Sequence, residues 1–335
     1  MAKRHEVTVL TPTFEGSTRE LIRDGVRYIR LGRKIGNHGS SHHITFFFSL
    51  PKAIRTMDYD LLIEDFMPPM SSTLNPLFAK SPVIASVQWF FAEALSKQYK
   101  MPFYLGERYG VKLYKNFIVL TEKMKIDIQQ RNTKAHFRVI ANGIDAQLLD
   151  IEPEFDDFIL FLGRVDTEQK GVDLLLKAYA QIPDSMKIPL ILAGHCFQIE
   201  NIQNIISLLG LDKWVKMPGK VQGEDKDNLL KKCRFVCIPS REETFGMVIT
   251  ESCACGKIVV LFDKSPMNEV ASANCIKVEP YDTNKYAKAM VSMLEEGKDS
   301  LLDKSHECKT WARKYDWDVI ANQQEEFYQE VYERG

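Results

Sequence analysis

The feature that most restricts how this chain folds is an alternation of short apolar runs with helical stretches, played twice along 335 residues. Residues 6–10 alternate like a strand, and residues 60–64, 83–87, 117–120 and 137–140 are apolar runs of strand length. Helical periodicity separates them over residues 50–57, 103–114 and 122–131. A second series places strands at 158–162, 190–193, around Val215, at 235–238 and at 258–261. Helices fall between and after them over 172–181, 202–209, 225–232, 246–255, 284–295 and 301–314. Such alternation builds a parallel sheet with helices on both faces. Two series predict an α/β chain of two domains, and a hydrophobic content of 45% is enough to give each a core. The polar stretch 142–157 carries Pro153, lacks a strong period and is the expected linker. The domain reading is therefore 1–150 and 151–315, then an amphipathic helix over 316–335.

Composition narrows the classes. No apolar run approaches the ~20 residues of a spanning helix, and the start Met-Ala-Lys-Arg-His-Glu is too polar for a secretion signal. Seven cysteines, an odd number, all follow residue 195. A reduced, cytoplasmic protein is the simplest expectation. Cys253 and Cys255 lack an accompanying His cluster and read as core packing, so no metal is expected. The net charge of −1 hides an asymmetry: residues 1–145 carry 21 Lys/Arg against 13 Asp/Glu, the remainder 23 against 32. Arg19, Arg23, Arg27, Arg30, Arg33 and Lys34, then Lys112, Lys115, Lys123 and Lys125, make the first half basic. A solvated surface accounts for these charges, and so does a face for anionic lipid at the inner side of a membrane or for a phosphorylated acceptor. No nucleic-acid partner is expected.

The densest chemistry surrounds residues 239–256. The strand at 235–238 leaves through Pro239-Ser-Arg-Glu-Glu-Thr244, and Gly246 opens a helix that Gly256 stops. Glu243 therefore sits in the loop and Glu251 two turns into the helix. Between them, the N–H groups of the helix start attract phosphate. A sugar nucleotide fits this frame, with its diphosphate at the helix end and its hydroxyls at the carboxylates. A second constellation is Phe161-Leu-Gly163-Arg164 with Lys170-Gly171. A strand delivers Gly163 and Arg164 into a loop, and a helix opens after Gly171. Arg offers phosphate a planar fork of donors and Lys a mobile point charge. Alone, each pattern reads as solvated charge beside a turn; together in one domain they read as a site. The spacing lacks the Gly-Lys-Ser/Thr ending of a Walker loop.

The run Pro239-Ser240…Glu243-x-Phe245-Gly246…Glu251-Ser-Cys-Ala-Cys-Gly256 resembles the donor-site signature of glycosyltransferase family 4. The resemblance implies a GT-B fold, two Rossmann-like domains facing a central cleft with the C-terminal helix crossing back to the first. It implies retaining transfer of a hexosyl group from a nucleotide-diphosphate sugar, UDP-sugar favoured, to a glycan or lipid-linked acceptor, with no cofactor. On that likeness Arg164 and Lys170 neutralise the leaving diphosphate, Glu243 orients the sugar and Glu251 holds the ribose. Gly163, Phe245 and the backbone near Gly246 and Met247 complete the donor frame, and Pro218-Gly219-Lys-Val221 resembles the loop beside the base. Asn142-Gly-Ile-Asp145 resembles the turn that ends the first domain. His195, after Ala193-Gly194 at a strand end, is a candidate donor contact or a structural histidine. Glu64 and Gln88 are candidate contacts from the first domain.

Two departures from the family pattern stand out. About 30 residues of the usual first strand, Gly-rich loop and first helix are missing when judged against a normal βαβ unit. Three outcomes are open for the surface this leaves: the sheet is rebuilt, a homo-oligomer or a partner chain covers it, or the first domain is less stable. Gln88 also stands where the family often has His, and Gln carries neither proton nor charge. Both features motivate a rival reading, a non-catalytic nucleotide-sugar-binding subunit completed by a partner. An epimerase of related fold is a third. The aromatic run Trp89-Phe90-Phe91-Ala-Glu93 reads as core ahead of a sugar-stacking wall.

Overall fold

The computed structural model describes residues 2, 4–35, 41–67, 74–90, 92, 96–97 and 100–335. Phe91 and Glu93 of the aromatic run lie outside the described residues. The chain divides into two compact units, residues 1–140 with 321–335, and residues 141–320.

The first unit holds two sheets. In one, strands β1 (Val7–Pro12), β2 (Glu20–Arg23) and β3 (Val26–Leu31) stand in the order β1-β3-β2. β1 and β3 are parallel, β2 and β3 antiparallel. Asp24 and Gly25 join β2 to β3, both at positive φ (53° and 78°), as a tight hairpin turn requires. The helix Ser41–Thr56 contacts β1 and β3. The second sheet is all parallel in the order β4 (Leu62–Asp65), β5 (Val83–Val87), β6 (Asn116–Val119), β7 (His136–Val139). The helix Glu122–Gln129 starts at Thr121, whose hydroxyl accepts the Met124 N–H at 3.2 Å. Phe66, Val87, Tyr114, Phe117 and Ile128 are buried in one core cluster, with Phe90 packed against it. The Arg131 guanidinium lies over the Phe90 ring, 4.9 Å from its centroid.

Glu64 belongs to that interior. Alternation along β4 turns it inward; it is 8% exposed and accepts the Tyr114 hydroxyl. The acceptor contact expected of it has no exposed carboxylate to act through. Burial pushes its pKa up to about 7, outweighing the hydrogen bonds from Tyr114 and Asn75 that favour the ion. Because the folded value exceeds the unfolded one, the native state holds a proton between roughly pH 4.5 and 7 that the unfolded chain has released. Stability of the first unit is thus expected to fall as pH rises through that window, by on the order of 3 kcal/mol in total. Urea unfolding followed by circular dichroism should show the decline, and Glu64→Gln should flatten it. An unchanged slope in the variant would assign the dependence to another group.

The second unit is one six-stranded parallel sheet. Its strands are β8 (Ile159–Leu162), β9 (Leu190–Ala193), β10 (Val215–Gly219), β11 (Phe235–Ile238), β12 (Val259–Phe262) and β13 (Ile276–Val278), in the order β10-β9-β8-β11-β12-β13. β13 extends the sheet beyond the run at 258–261, which the sequence pattern marks as its end. Every residue of β8, β11 and β12 is buried, as strands covered by helices on both faces must be. The order reverses between β8 and β11. Open α/β sheets take ligands at the carboxyl ends of the strands that flank such a reversal.

The stretch expected to be a linker is packed instead. Ile144 N–H donates to Tyr315 O at 2.8 Å, and a side chain at Gly143 would overlap the Trp317 ring. Glu154 and Asp156 N–H groups donate to Lys231 and Lys232 carbonyls at 2.8 and 2.7 Å. Lys257 is fully buried, donates to Glu154 O and lies 4.0 Å over the Phe155 ring. These bonds tie the stretch to the second unit, which by packing begins at Ala141. The helix Trp317–Arg334 begins in that unit, and from Ala321 it belongs to the first. There Phe327 is fully buried, Arg4 pairs with Glu325 at 2.8 Å and Arg138 with Glu330 at 2.5 Å.

Candidate functional site

Two loops at the reversal point build the site. The first leaves β8 at Gly163, whose φ of +143° turns the chain away from the sheet. Asp166 organises the rest of this loop. Its Oδ1 accepts the N–H groups of Gln169 and Lys170 at 2.7 and 3.0 Å, and its Oδ2 meets Arg164 Nε at 3.0 Å. Arg164 also donates to the Gln169 side chain. Gly171 then enters the helix Val172–Ala180 in the left-handed region, φ +65°, where a Cβ would overlap the Pro239 carbonyl oxygen.

The second loop leaves β11 through Pro239. Arg241 locks the two loops together. Its guanidinium grips Asp173 with two bonds of 2.7 and 2.9 Å and also donates to Thr167 O, while its N–H donates to Gln169 O at 2.7 Å. Glu243 Oε1 lies 2.6 Å from Lys170 Nζ and accepts the Ser240 hydroxyl at 2.9 Å. Gly246, at φ +97°, opens the helix Met247–Ala254, and its carbonyl accepts the Ile249 N–H at 2.9 Å. Phe245 beneath is 1% exposed and meets Tyr315 edge to face, 6.0 Å between centroids.

A pocket of about 230 Å³ opens here, lined by Gly163, Lys170, Ser240, Glu243, Gly246 and Met247 among others. Phe245 and Asn142 line it too. Six of the expected donor residues therefore share one cavity. Arg164, Val221, Glu251 and His195 lie outside its lining. The Glu251 carboxylate faces Lys226 Nζ at 3.0 Å, on the helix Glu224–Lys232. The His195 carbonyl accepts the Val165 N–H at 2.8 Å, and its ring meets Phe197 edge to face. Gly163, Gly194 and Gly219 stand side by side at the ends of β8, β9 and β10. Gly163 N–H donates to Ala193 O, and Gly194 N–H to Gly219 O. Gln88 and Glu64 belong to the first unit. No sequence signal marks Lys226 or Arg241 as part of a site.

The ionic pattern is uniform. Four cations of this region face carboxylates, and of them Lys170 lines the pocket: Lys170 faces Glu243, Arg164 Asp166, Lys226 Glu251 and Arg241 Asp173.

Overlays with solved structures place this architecture among GT-B folds. Sucrose-phosphate synthase from Thermosynechococcus elongatus matches with a TM-score of 0.78 at 17% identity, covering 98% of this chain and 90% of that one. HepE of Anabaena in complex with UDP matches at 0.71 and 18%, covering 91% and 86%. Two family models, glycosyl transferases group 1 over residues 151–315 and Glycosyltransferase Family 4 over residues 1–148, together take in most of the sequence. The chain belongs to glycosyltransferase family 4. A phosphatidyl-myo-inositol mannosyltransferase of Mycolicibacterium smegmatis is 29% identical over 205 residues, 58% of this chain and 51% of that protein. An uncharacterized glycosyltransferase of Methanocaldococcus jannaschii is 27% identical over 204 residues, 60% and 55%. The chain thus spans about half the length of the curated relatives it matches.

Proposed function

We propose that the chain transfers a hexosyl group, with retention, from a nucleotide-diphosphate sugar to a glycan or lipid-linked acceptor. The observation that carries the reading is the pocket at the reversal of strand order, where Lys170 and Glu243 meet beside an open helix start. In this reading the diphosphate lies against the first-turn N–H groups near Gly246 and Met247, and Lys170 and Arg164 swing onto its oxygens. Charge grows on the leaving diphosphate as the glycosidic bond breaks, so cations fixed there lower the barrier. Glu243, released from Lys170, accepts hydroxyl groups of the sugar. Its Oε1 is held by both Lys170 and Ser240, which suits a positioning carboxylate better than a nucleophile. The leaving phosphate then takes the acceptor proton, and the reaction needs no cofactor. Glu251 receives the ribose hydroxyls, with Lys226 fixing its carboxylate. UDP is favoured as the nucleotide because a solved structure of the same fold holds UDP. A lipid-linked acceptor is favoured because one relative is named for phosphatidyl-myo-inositol.

Calorimetric titration with UDP and GDP tests the donor half of this reading. One nucleoside diphosphate is expected to bind with 1:1 stoichiometry. Glu251→Ala is expected to weaken it about tenfold, the value of one good hydrogen-bonded contact. Lys226→Ala should cost somewhat less, because it acts through Glu251. No binding at millimolar nucleotide, or full affinity in Glu251→Ala, would remove the ribose assignment.

A further inference from the structure

The second unit gathers three thiols that the donor site does not use. Cys253 lies in the last turn of the helix Met247–Ala254, Cys275 immediately precedes β13, and Cys308 lies on the helix Lys298–Ala312. Cys253 and Cys308 are 0% exposed and Cys275 is 6%. The Sγ atoms of Cys253 and Cys275 are 3.6 Å apart, and all three sulphurs lie within 4.8 Å of one another. Three sulphurs bonded to one ion at ~2.3 Å in a plane stand ~4.0 Å apart, so the observed triangle closes on an ion with small side-chain shifts.

The geometry points to a site for a soft closed-shell cation, Cu(I) first, held by Cys253, Cys275 and Cys308. Thiolates select soft ions, which narrows the choice to Cu(I), Zn²⁺ and their like. Zn²⁺ in structural sites takes four protein ligands. Among the described residues no fourth His, Cys, Asp or Glu joins the cluster, and Cu(I) is satisfied by three sulphurs. Three thiolates around a monovalent ion leave negative charge in a dry interior. Lys314 lies close enough to Cys253 to interact electrostatically with it, and the Ser272 hydroxyl reaches Cys308. Both are the polar support that a ligand set of this kind needs. The ion would pin together a helix end, a strand entry and a second helix, segments 22 and 33 residues apart in the chain.

The test titrates reduced, metal-free full-length chain with Cu(I) against a colorimetric Cu(I) chelator, and separately with Zn²⁺. One equivalent of Cu(I) is expected to be retained, more tightly than Zn²⁺, and X-ray absorption of the loaded wild type should count three sulphur neighbours. Cys275→Ser and Cys308→Ser should each weaken Cu(I) by at least about a hundredfold, the upper end of what losing a mere supporting partner of a ligand costs. Cys196→Ser, a half-buried thiol outside the cluster, should change nothing. Circular dichroism checks that each variant folds. Where one does not, the sulphur count on the wild type still decides. Fewer than three sulphurs, no retained Cu(I), tighter Zn²⁺, or loss on Cys196→Ser would each overturn the assignment.

Discussion

Lys170→Ala should reduce turnover of a nucleotide sugar by about two to three orders of magnitude, the scale of deleting one donor that stabilises a developing oxyanion. Lys170 is well placed to carry so large an effect. Its backbone N–H is held by Asp166 at 3.0 Å, Gly171 fixes the chain behind it, and its ammonium projects into the pocket 2.6 Å from Glu243. The substitution also leaves Glu243 with Ser240 as its remaining partner at Oε1, so ground-state affinity for the nucleotide need not fall in parallel. The expected signature is a large loss in kcat with a smaller rise in KM, the mark of an interaction strengthened in the transition state. Lys170→Arg, which restores charge but not the compact ammonium, should recover part of the loss. A fall of less than tenfold in kcat for Lys170→Ala would place the leaving-group charge elsewhere.

Burial decides which parts of this fold are legible in the sequence. Residues 159–162, 235–238 and 259–262 are wholly buried strands, and a strand apolar on both faces announces itself as a continuous run. β13 carries exposed Lys277 between Ile276 and Val278 and is too short to show a period. β2 is exposed along its whole length, so hydrophobicity cannot mark it. Its signal is the Asp24-Gly25 pair between Leu21-Ile22-Arg23 and Val26-Arg27-Tyr28, a hairpin turn flanked by apolar residues. At the site, residue types are readable and partnerships are not. Lys170 and Glu243 stand 73 positions apart, and only the parallel sheet brings β8 and β11 side by side to join them. Lys226 sits in a run of Glu, Asp and Lys that any periodicity argument assigns to a solvated face, yet its ammonium ends on Glu251. The cysteine cluster is hidden for the same reason: Cys253 suggests its near neighbour Cys255, and the fold pairs it with Cys275 and Cys308.

Gly194→Ala is expected to be among the most damaging single-methyl additions in the second unit. At φ +150° the residue occupies backbone space that a Cβ closes off, and the added carbon would overlap the carbonyl oxygen of Gly163 on the neighbouring strand end. Relief requires parting β8 from β9 where Gly163 N–H meets Ala193 O at 2.9 Å, or breaking the Gly194 N–H bond to Gly219 O at 2.8 Å. Backbone strain and overpacking together amount to about 4 kcal/mol. Trp214, Trp311 and Trp317 lie in this unit, so tryptophan fluorescence in urea reports its unfolding. Gly210→Ala separates the two contributions. Gly210 has φ +67°, and a methyl added there would meet nothing within 4 Å, so the change should cost only the left-handed strain of about 1 kcal/mol. Equal losses at the two positions would mean that backbone conformation alone is at stake. A loss at Gly194 several times larger would show that the β8 and β9 ends are pressed together, and nucleotide binding should then weaken with it, because Gly163 is the first residue of the loop that holds Lys170.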